Sequence, residues 1–223
     1  MVAETVSRSP IARLALFVAS IALTIVGAEI SFYVGPVPYT MQNAGIVFTG
    51  LVLPPRDALL AQLCYLALIA LGLPIAAGAH GGPYVLIGYT AGYLWAFPIA
   101  SFLISIASRR YLKLVGRDLA SARFRDAVAL WLISSACVAP VYALGFAVFY
   151  AYIALLGAKP LYLWSLSAVS AILHIKARAL SMPLAVFLAS VAIFVPQDVF
   201  MDHVIGTCLS LGVYRILRSR GLL

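Results

Sequence analysis

The chain has 223 residues, of which 64% are hydrophobic and only 10% are charged, and its formal charge is +8. Soluble domains are about half apolar and about a quarter charged, so this composition excludes a water-soluble globular protein. The mean hydropathy of +1.06 indicates instead a helical protein that lies almost wholly within a membrane.

Apolar runs separated by short polar or Pro/Gly-rich breaks predict an all-α bundle of six transmembrane helices. About 20 apolar residues are needed to cross the hydrocarbon core as a helix. The chain is expected to form one membrane domain, residues 1–223, and weaker apolar character over 161–175 leaves a seventh segment open. The six predicted helices cover residues 11–34, 38–53, 57–74, 84–108, 126–157 and 180–217.

Positive charge is distributed unevenly over this predicted bundle. All Lys and Arg residues except Lys159, Lys176 and Arg178 fall on one side of it. The positive-inside rule therefore predicts that both termini and a basic loop at 109–125 are cytoplasmic. This charge is explained by topology and lipid contact, so no nucleic-acid partner is expected. The cations on that side are Arg8, Arg13, Arg56, those of the 109–125 loop and those after residue 214.

Three Pro/Gly-rich breaks interrupt the apolar runs, at residues 35–42, 78–84 and 195–198. Irregular backbone at membrane depth persists only where protein or a water-filled cavity covers it. The first two breaks fall on the extracellular side of the predicted bundle, and the third begins a helix near that side. They predict a binding pocket open to the outside, of the kind that broken helices form in transporters. Ordinary interhelical loops are the alternative.

Asp198 is the most prominent polar residue in an apolar run. A carboxylate two residues after Pro196 fits the first turn of a helix, which is a structural explanation. An ionisable group at membrane depth is also costly and usually functional. Asp202 lies four residues further on, so an intramembrane enzyme that uses both carboxylates is a second hypothesis. The sequence supplies no metal cluster or nucleophile for such chemistry.

Other polar and small residues near the breaks are candidates for the same pocket. Gln42 begins the second helix, where its amide either caps that helix or points into the pocket. His80 stands in a Gly-rich loop and is either solvated or a ligand contact. Tyr89 and Tyr93 are either interface-belt residues or pocket walls.

Four segments resemble the BioY family, the biotin-specific substrate-binding components of energy-coupling-factor (ECF) transporters. The family patterns V-P-x-T-L-Q, G-L-P-V-F, G-P-T-G-G-Y-L-x-G-F and P-G-D-L-I-K appear here in the same order. The resemblance is dense over about residues 10–105 and returns around 194–217. The matching segments are VPYTMQNAG from Val37, LGLPI from Leu71, GYTAGYLWAF from Gly88 and PQDVFM from Pro196.

This resemblance implies a six-helix protein that captures biotin from outside the cell. Asp198 is expected to accept hydrogen bonds from the ureido N–H groups of biotin, and Gln42 to supply either kind of partner. Tyr89, Tyr93 or Trp95 would cover the fused ring. Gly81 and Gly82 would let backbone amides approach the ligand.

Partner subunits are also implied by the resemblance. Ala15 and Ala19 match the small-residue spacing at which a membrane coupling subunit packs on the first helix. An ATPase pair would drive the cycle, because the chain itself has no phosphate-binding loop. No cofactor or metal is expected.

The chain departs from the family pattern at Met201, where the family has a ligand-contacting lysine. Lys176, Arg178, His80 or backbone amides are alternative partners for the ligand carboxylate. A different small vitamin as the substrate is the second hypothesis within the same class.

Overall fold

Helices dominate the computed structural model, which describes residues 10–222. Arg8, one of the predicted cytoplasmic cations, lies outside the described residues. A short hairpin of two antiparallel strands, β1 (Ser31–Tyr33) and β2 (Pro38–Thr40), pairs Ser31 with Thr40. The α-helices are Pro10–Glu29 (α1), Gln42–Val52 (α2), Pro55–Ala70 (α3), Ala91–Leu114 (α4), Phe124–Cys137 (α5), Ala139–Ala154 (α6), Lys159–Leu173 (α7), Met182–Phe187 (α8), Val195–Gln197 (α9) and His203–Ser219 (α10).

Four helical stretches of the described chain are long and apolar enough to cross a bilayer. They are Pro10–Glu29, Ala91–Leu114, Phe124–Ala154 and Met182–Ser219. The third joins α5 and α6, and the fourth joins α8, α9 and α10. Helices α2 and α3, with 11 and 16 residues, are shorter than these four.

Helix α2 is the centre of the bundle, because all of its residues are buried. Small residues allow its neighbours to approach at backbone distance. A Cβ atom on Gly45 would lie 2.6 Å from Thr24 Cα of α1. A Cβ atom on Gly206 of α10 would lie 2.7 Å from the Ala44 carbonyl oxygen. Such close contacts stabilise helix association in membranes through van der Waals packing.

The last apolar stretch is a broken helix. Between α8 and α10 it contains two π-helical turns, at Leu188–Ala192 and Asp198–Asp202, on either side of the short α9. Aromatic side chains from other elements donate hydrogen bonds to backbone carbonyl oxygens of this region. The donors are the hydroxyls of Tyr93 and Tyr39 and the indole N–H of Trp131, and they bind Ser190 (2.5 Å), Ile193 (2.7 Å) and Val199 (2.7 Å), respectively. These bonds satisfy polar backbone groups that the apolar surroundings would otherwise leave unpaired.

Several helix bounds differ from those predicted. Residues 31–33 and 38–40 are strands rather than parts of helices 11–34 and 38–53, because Gly35, Pro36 and Pro38 interrupt the helical pattern. The predicted helix 57–74 ends at Ala70, and the predicted helix 84–108 is replaced by a 3₁₀ turn at Pro83–Leu86 and by α4. The predicted helices 126–157 and 180–217 correspond to Phe124–Ala154 and Met182–Ser219, the latter with its two π-helical turns.

The region between α4 and α7 also differs from the prediction. Residues 109–114 continue α4 into the predicted 109–125 loop, which is thereby shortened to 115–123. Residues 161–175, where a seventh membrane segment was left open by the sequence, lie mostly in α7, a helix that packs on α8. With 15 residues, α7 is shorter than the four stretches that are long enough to cross a bilayer.

Ion pairs gather at one end of the bundle, where α1 and α3 begin and α4 and α10 end. Arg13 of α1 binds Asp57 of α3 through two nitrogens, at 2.5 and 2.6 Å. Arg117 binds Asp126 at 2.5 Å, and Arg218 binds Asp118 at 3.2 Å. The bidentate geometry of the first pair fixes the start of α1 against α3.

Candidate functional site

A cavity of about 360 Å³ lies at the end of the bundle opposite these ion pairs. A volume of this size suits a small organic ligand. Its walls come from the β-hairpin, the start of α2, the segment 76–90, α4, α6 and the broken helix. The lining residues that carry polar groups or aromatic rings are Tyr33, Thr40, Gln42, Asn43, His80, Tyr84, Tyr89, Thr90, Tyr93, Phe97, Tyr142, Ser190, Phe194, Gln197 and Asp198.

Asp198 lies on the inner wall of the cavity and is only 6% exposed. It is placed there by the second π-helical turn of the broken helix. The Tyr142 hydroxyl of α6 donates a hydrogen bond to Asp198 Oδ2 at 2.8 Å. The Asn43 side chain also contacts this carboxyl group. One carboxylate is therefore held in a fixed orientation at the bottom of a largely apolar cavity.

Asp202 does not line the cavity, although it lies only four residues from Asp198. It is completely buried, and its carboxyl lies against the backbone N–H groups of Asn43 and Ala44 in the first turn of α2. Gln197 Nε2 donates to Asp202 Oδ1 at 2.7 Å. The positive end of a helix stabilises a carboxylate, so Asp202 joins α2 to the broken helix.

Gln42 lines the cavity but its amide is largely engaged within the protein. Its Nε2 donates to the Tyr65 hydroxyl at 2.8 Å, and that hydroxyl donates to the Ile75 carbonyl at 3.0 Å. The Thr40 hydroxyl donates to Gln42 Oε1 at 3.2 Å. The network links the cavity wall to α3 and to the segment that follows it.

Tyr89 and Tyr93 both line the cavity, in different environments. Tyr89 packs edge-on against Phe149, with 5.8 Å between the ring centroids. Burial, with a smaller effect of Tyr33, raises the pKa of Tyr89, so its hydroxyl is a neutral donor at physiological pH. The Tyr93 hydroxyl is bonded to Ser190, and its ring covers Gly145, where a Cβ atom would collide with it.

Trp95, the third aromatic candidate, does not line the cavity. Its ring is 44% exposed, and its Nε1 donates to the Leu86 carbonyl at 2.9 Å. It faces the outside of the bundle, as an interface-belt residue would.

The Gly-rich loop contributes His80 to the cavity but not its two glycines. Gly81 packs on the Leu73 carbonyl, where a side chain would collide. Gly82 has a φ of +101°, and its N–H donates to the Ile69 carbonyl at 2.7 Å. These glycines shape the loop, and the amide of Gly82 is already engaged.

In the sequence, Met201 stands where the family pattern has a ligand-contacting lysine, and Lys176 and Arg178 are alternative partners for the ligand carboxylate. None of the three lines the cavity. Met201 is 49% exposed on the outer side of the broken helix. Replacement of a lysine by methionine there puts an apolar side chain on an exposed position of an apolar helix.

Several cavity residues were not identified from the sequence. Tyr142, which orients Asp198, was hidden in the apolar run of α6, and Asn43 was not singled out within the segment VPYTMQNAG. Tyr39 and Phe194 pack against each other with tilted rings at the edge of the site, and their ring centroids are 4.3 Å apart. A polar aromatic residue within a long apolar helix was the one available signal for Tyr142.

Ala15 and Ala19 lie on α1 and do not line the cavity. Both are exposed, together with Ile11, Leu14 and Val18. The opposite face of α1 is buried, through Leu16, Ser20 and Thr24 among others. The two alanines therefore belong to an apolar outer face of the bundle.

Relatives of known name match part of the chain. It is 49% identical over 92 residues to the "Probable biotin transporter BioY" of Pyrococcus horikoshii, which is 41% of this chain and 55% of that relative. It is 40% identical over 89 residues to the "Biotin transporter BioY" of Thermotoga maritima, which is 40% of this chain and 53% of that relative. The matched segments span about half the length of these curated relatives.

The fold agrees with a solved structure over nearly all of its length. The crystal structure of "the S-component for biotin from an ECF-type ABC transporter" has a TM-score of 0.66, 19% sequence identity and 92% coverage of each chain. The predicted all-α membrane bundle is confirmed by this agreement and by the four long apolar helical stretches, and the molecule is a multi-pass membrane protein. The family model described as "BioY family" matches residues 3–217. The chain therefore belongs to the BioY family.

Proposed function

We propose that this chain binds biotin in the cavity beside Asp198 and acts as the substrate-specific component of an ECF-type transporter. Family membership and the names of the relatives support the substrate class. The observation that carries the proposal is the concentration of oxygen acceptors on the inner wall of an otherwise apolar cavity. That arrangement is complementary to a ureido ring, which presents two N–H donors on a compact apolar body.

The acceptors can be counted atom by atom. The Tyr142 hydroxyl donates to Asp198 Oδ2, and the Asn43 side chain also bonds to this carboxyl group. The side chains of Asn43 and Gln197 line the cavity too, and their buried oxygens, Asn43 Oδ1 and Gln197 Oε1, have no hydrogen-bond partner among residues 10–222. An unsatisfied buried acceptor costs about 1–3 kcal/mol. A ligand that brings N–H donors recovers this cost, whereas an apolar ligand does not.

Aromatic side chains supply the remaining walls. Tyr89 presents its ring to the cavity from the turn before α4, Tyr93 from the first turn of α4, and Phe194 from the broken helix. Tyr93 is fixed by its bond to Ser190, so the wall is formed before a ligand enters. A fused bicyclic ring with a thioether would gain its binding energy from contact with these faces.

An enzyme that uses Asp198 and Asp202 together has less support than a binding protein. Only Asp198 lines the cavity, and Asp202 is engaged with Gln197 and the start of α2. General acid–base chemistry by the pair would need both groups within reach of one substrate. A transport protein without catalytic residues is therefore the function that we propose.

For the topology, we propose six membrane segments with both termini in the cytoplasm. The segments are α1, α2, α3, α4, α5 with α6, and α8 to α10, with α7 as an additional helix beside the last segment. The ion-paired end of the bundle, which holds Arg13, Arg117 and Arg218, is the cytoplasmic end under the positive-inside rule. The cavity then opens to the outside.

A membrane coupling subunit is proposed to pack on the outer face of α1, and an ATPase pair to act through it. The exposure of Ala15 and Ala19 supports this surface, since small residues let another helix approach closely. Ala15→Trp with Ala19→Trp should abolish copurification with the coupling subunit and leave biotin binding intact. Ala171→Trp, at an exposed alanine of α7, is the matched control. Loss of copurification in the control as well would argue against this surface.

The proposed substrate is tested by calorimetric titration of the detergent-solubilised chain with biotin. Desthiobiotin, which keeps the ureido group, should compete, whereas lipoic acid, which keeps only an acidic tail and ring sulfur, should not. Thiamine and riboflavin test the alternative of another vitamin. The absence of saturable binding at micromolar biotin, with the thermal unfolding transition intact, would refute the proposal.

A further inference from the structure

The open end of the cavity is a rim of aromatic side chains. Tyr33 and Tyr84 line the cavity and are 51% and 58% exposed, and the exposed side chain of His80 lies beside them in the lining. The imidazole of His80 packs edge-on against the Tyr84 ring, with 6.5 Å between the ring centroids. Asp198, by contrast, is only 6% exposed. The cavity therefore has a buried inner end beside Asp198 and an open outer end formed by rings.

The two ends of the cavity set the direction of the ligand, and here the inference rests on the proposed function. In that function the ureido group lies at the inner end, beside Asp198. The acidic tail of biotin leaves the fused ring on the side away from the ureido group, so the tail runs toward the outer end. Its methylene groups pack on the aromatic rim, and its terminal group reaches the mouth of the cavity.

The polar groups of the rim suit an amide at least as well as a carboxylate. His80 Nδ1 lies 2.8 Å from the Ala77 carbonyl oxygen, which can only accept, so Nδ1 carries the hydrogen and Nε2 of the neutral ring is an acceptor. The hydroxyls of Tyr33 and Tyr84 can donate or accept. Among the described lining residues there is no Lys or Arg. An amide brings both a donor and an acceptor to such a rim, whereas a carboxylate brings acceptors alone.

Backbone N–H groups near the rim are already engaged within the protein. Ala76 and His80, which both line the cavity, exchange two backbone hydrogen bonds, at 2.9 and 3.2 Å. The N–H groups of Val85 and Tyr93 also belong to lining residues, and they donate to backbone carbonyls at 3.1 and 3.2 Å. These four donors are therefore not available to hold the charge of an acidic tail.

We infer that the site binds amide conjugates of biotin, in which the tail carboxyl is joined to an amine, about as tightly as it binds free biotin. The terminal group lies among uncharged partners at an open rim, so its negative charge adds little to binding. Whatever follows the amide bond extends past Tyr33 and Tyr84 into the solvent. The substrate class of the site thus includes biotin that is attached to an amino acid or a short peptide.

The first arm of the test compares three ligands by titration calorimetry of the detergent-solubilised chain. They are biotin, biotin amide and Nε-biotinyl-lysine, and the titrations are made at pH 8, above the ordinary titration range of an imidazole. The three dissociation constants should agree within about fivefold, which is the effect of a charge that is open to solvent. An amide that binds more than about fivefold more weakly than biotin would overturn the inference.

The second arm places a cation on the rim. His80→Lys should shift the ratio of biotin affinity to biotin amide affinity about fivefold toward biotin. His174→Lys is the matched control, because His174 is exposed and does not line the cavity, and it should leave the ratio unchanged. An unchanged ratio in His80→Lys, or an equal shift in both variants, would show that the tail does not pass this rim and would overturn the inference. Failure of biotin itself to bind the unmodified chain would overturn the proposed function, and the inference with it.

Discussion

Tyr142 of α6 donates a hydrogen bond to Asp198 of the broken helix at 2.8 Å, across 56 residues of sequence. The bond fixes Asp198 Oδ2 toward α6 and connects that helix to the broken helix. Tyr142 therefore positions the group to which we assign the ligand ring.

Tyr142→Phe should weaken biotin binding about tenfold without unfolding the protein. A hydrogen bond to a charged group contributes about 1.5–3 kcal/mol, and its loss frees the Asp198 carboxylate to rotate. Tyr150→Phe is the matched control, because Tyr150 lies on the same helix outside the cavity lining. Titration calorimetry and thermal unfolding of both variants check this prediction. Equal weakening in the two variants would contradict a specific role for Tyr142.

Asp198→Asn and Asp202→Asn should have different effects. Asp198 lines the cavity, so its replacement should weaken biotin binding more than tenfold, with a small change in melting temperature. Asp202 lies at the start of α2, so its replacement should cost about 1–3 kcal/mol of stability and change binding less. Binding and thermal unfolding are measured on each variant. The same loss of binding in both would indicate disruption of the broken helix rather than a ligand contact.

Gly145→Ala should destabilise the protein by about 1–3 kcal/mol, because an added Cβ atom would collide with the ring of Tyr93. Displacement of that ring should also break the bond from Tyr93 to Ser190 and weaken biotin binding. Gly212→Ala is the control, since no atom lies within 4 Å of an added Cβ there. In the control the better helix propensity of alanine should raise the melting temperature slightly. No difference between the two variants would show that Tyr93 can move without cost.

Asp118 should contribute to stability at neutral pH but not in strong acid. Burial opposes its ionisation, but hydrogen bonds from Ser121 and the charge of Arg218 outweigh burial and lower the pKa of Asp118. A lowered pKa in the folded state means that stability is present above the ordinary pKa and is lost as the pH falls through the folded one. Asp118→Asn should therefore lower the melting temperature at pH 7. The difference from the unmodified chain should disappear in acid, once the pH has fallen below the lowered pKa of the folded state.

Hydropathy and charge were sufficient to predict the membrane bundle, because long apolar runs leave few alternatives. The Pro/Gly-rich breaks marked where the cavity lies: Gln42, His80 and Asp198, all within or beside a break, line it. The strands at 31–33 and 38–40 were assigned to the flanking helices, since these few residues, mostly apolar and aromatic, resemble the runs on either side; the break predicted at residues 35–42 contains the turn between them. Pairing of Ser31 with Thr40 depends on the turn between them, which hydropathy does not report.

Residues whose roles depend on partners far away in the sequence could not be identified from the sequence alone. Tyr142 is 56 residues from Asp198, and Trp131 is 68 residues from the Val199 carbonyl that it binds. Nothing local to either side chain indicates its partner. Gly81 and Gly82 were expected to face the ligand because they lie in a break, yet the loop uses them for its own packing. A Gly-rich composition indicates a loop, but it does not show which backbone N–H and C=O groups of that loop are left to bind a ligand.

The ring donors that bind the broken helix have a consequence for how the protein is made. Tyr39, Tyr93 and Trp131 all precede the stretch Met182–Ser219 in the chain, so ribosomes produce them before the carbonyls that they bind. This last stretch also supplies Ser190, Phe194, Gln197 and Asp198 to the wall of the cavity. The cavity is therefore incomplete until the end of the chain has been made, and a chain that stops before residue 182 would lack Asp198, the residue beside which we propose that the ligand binds.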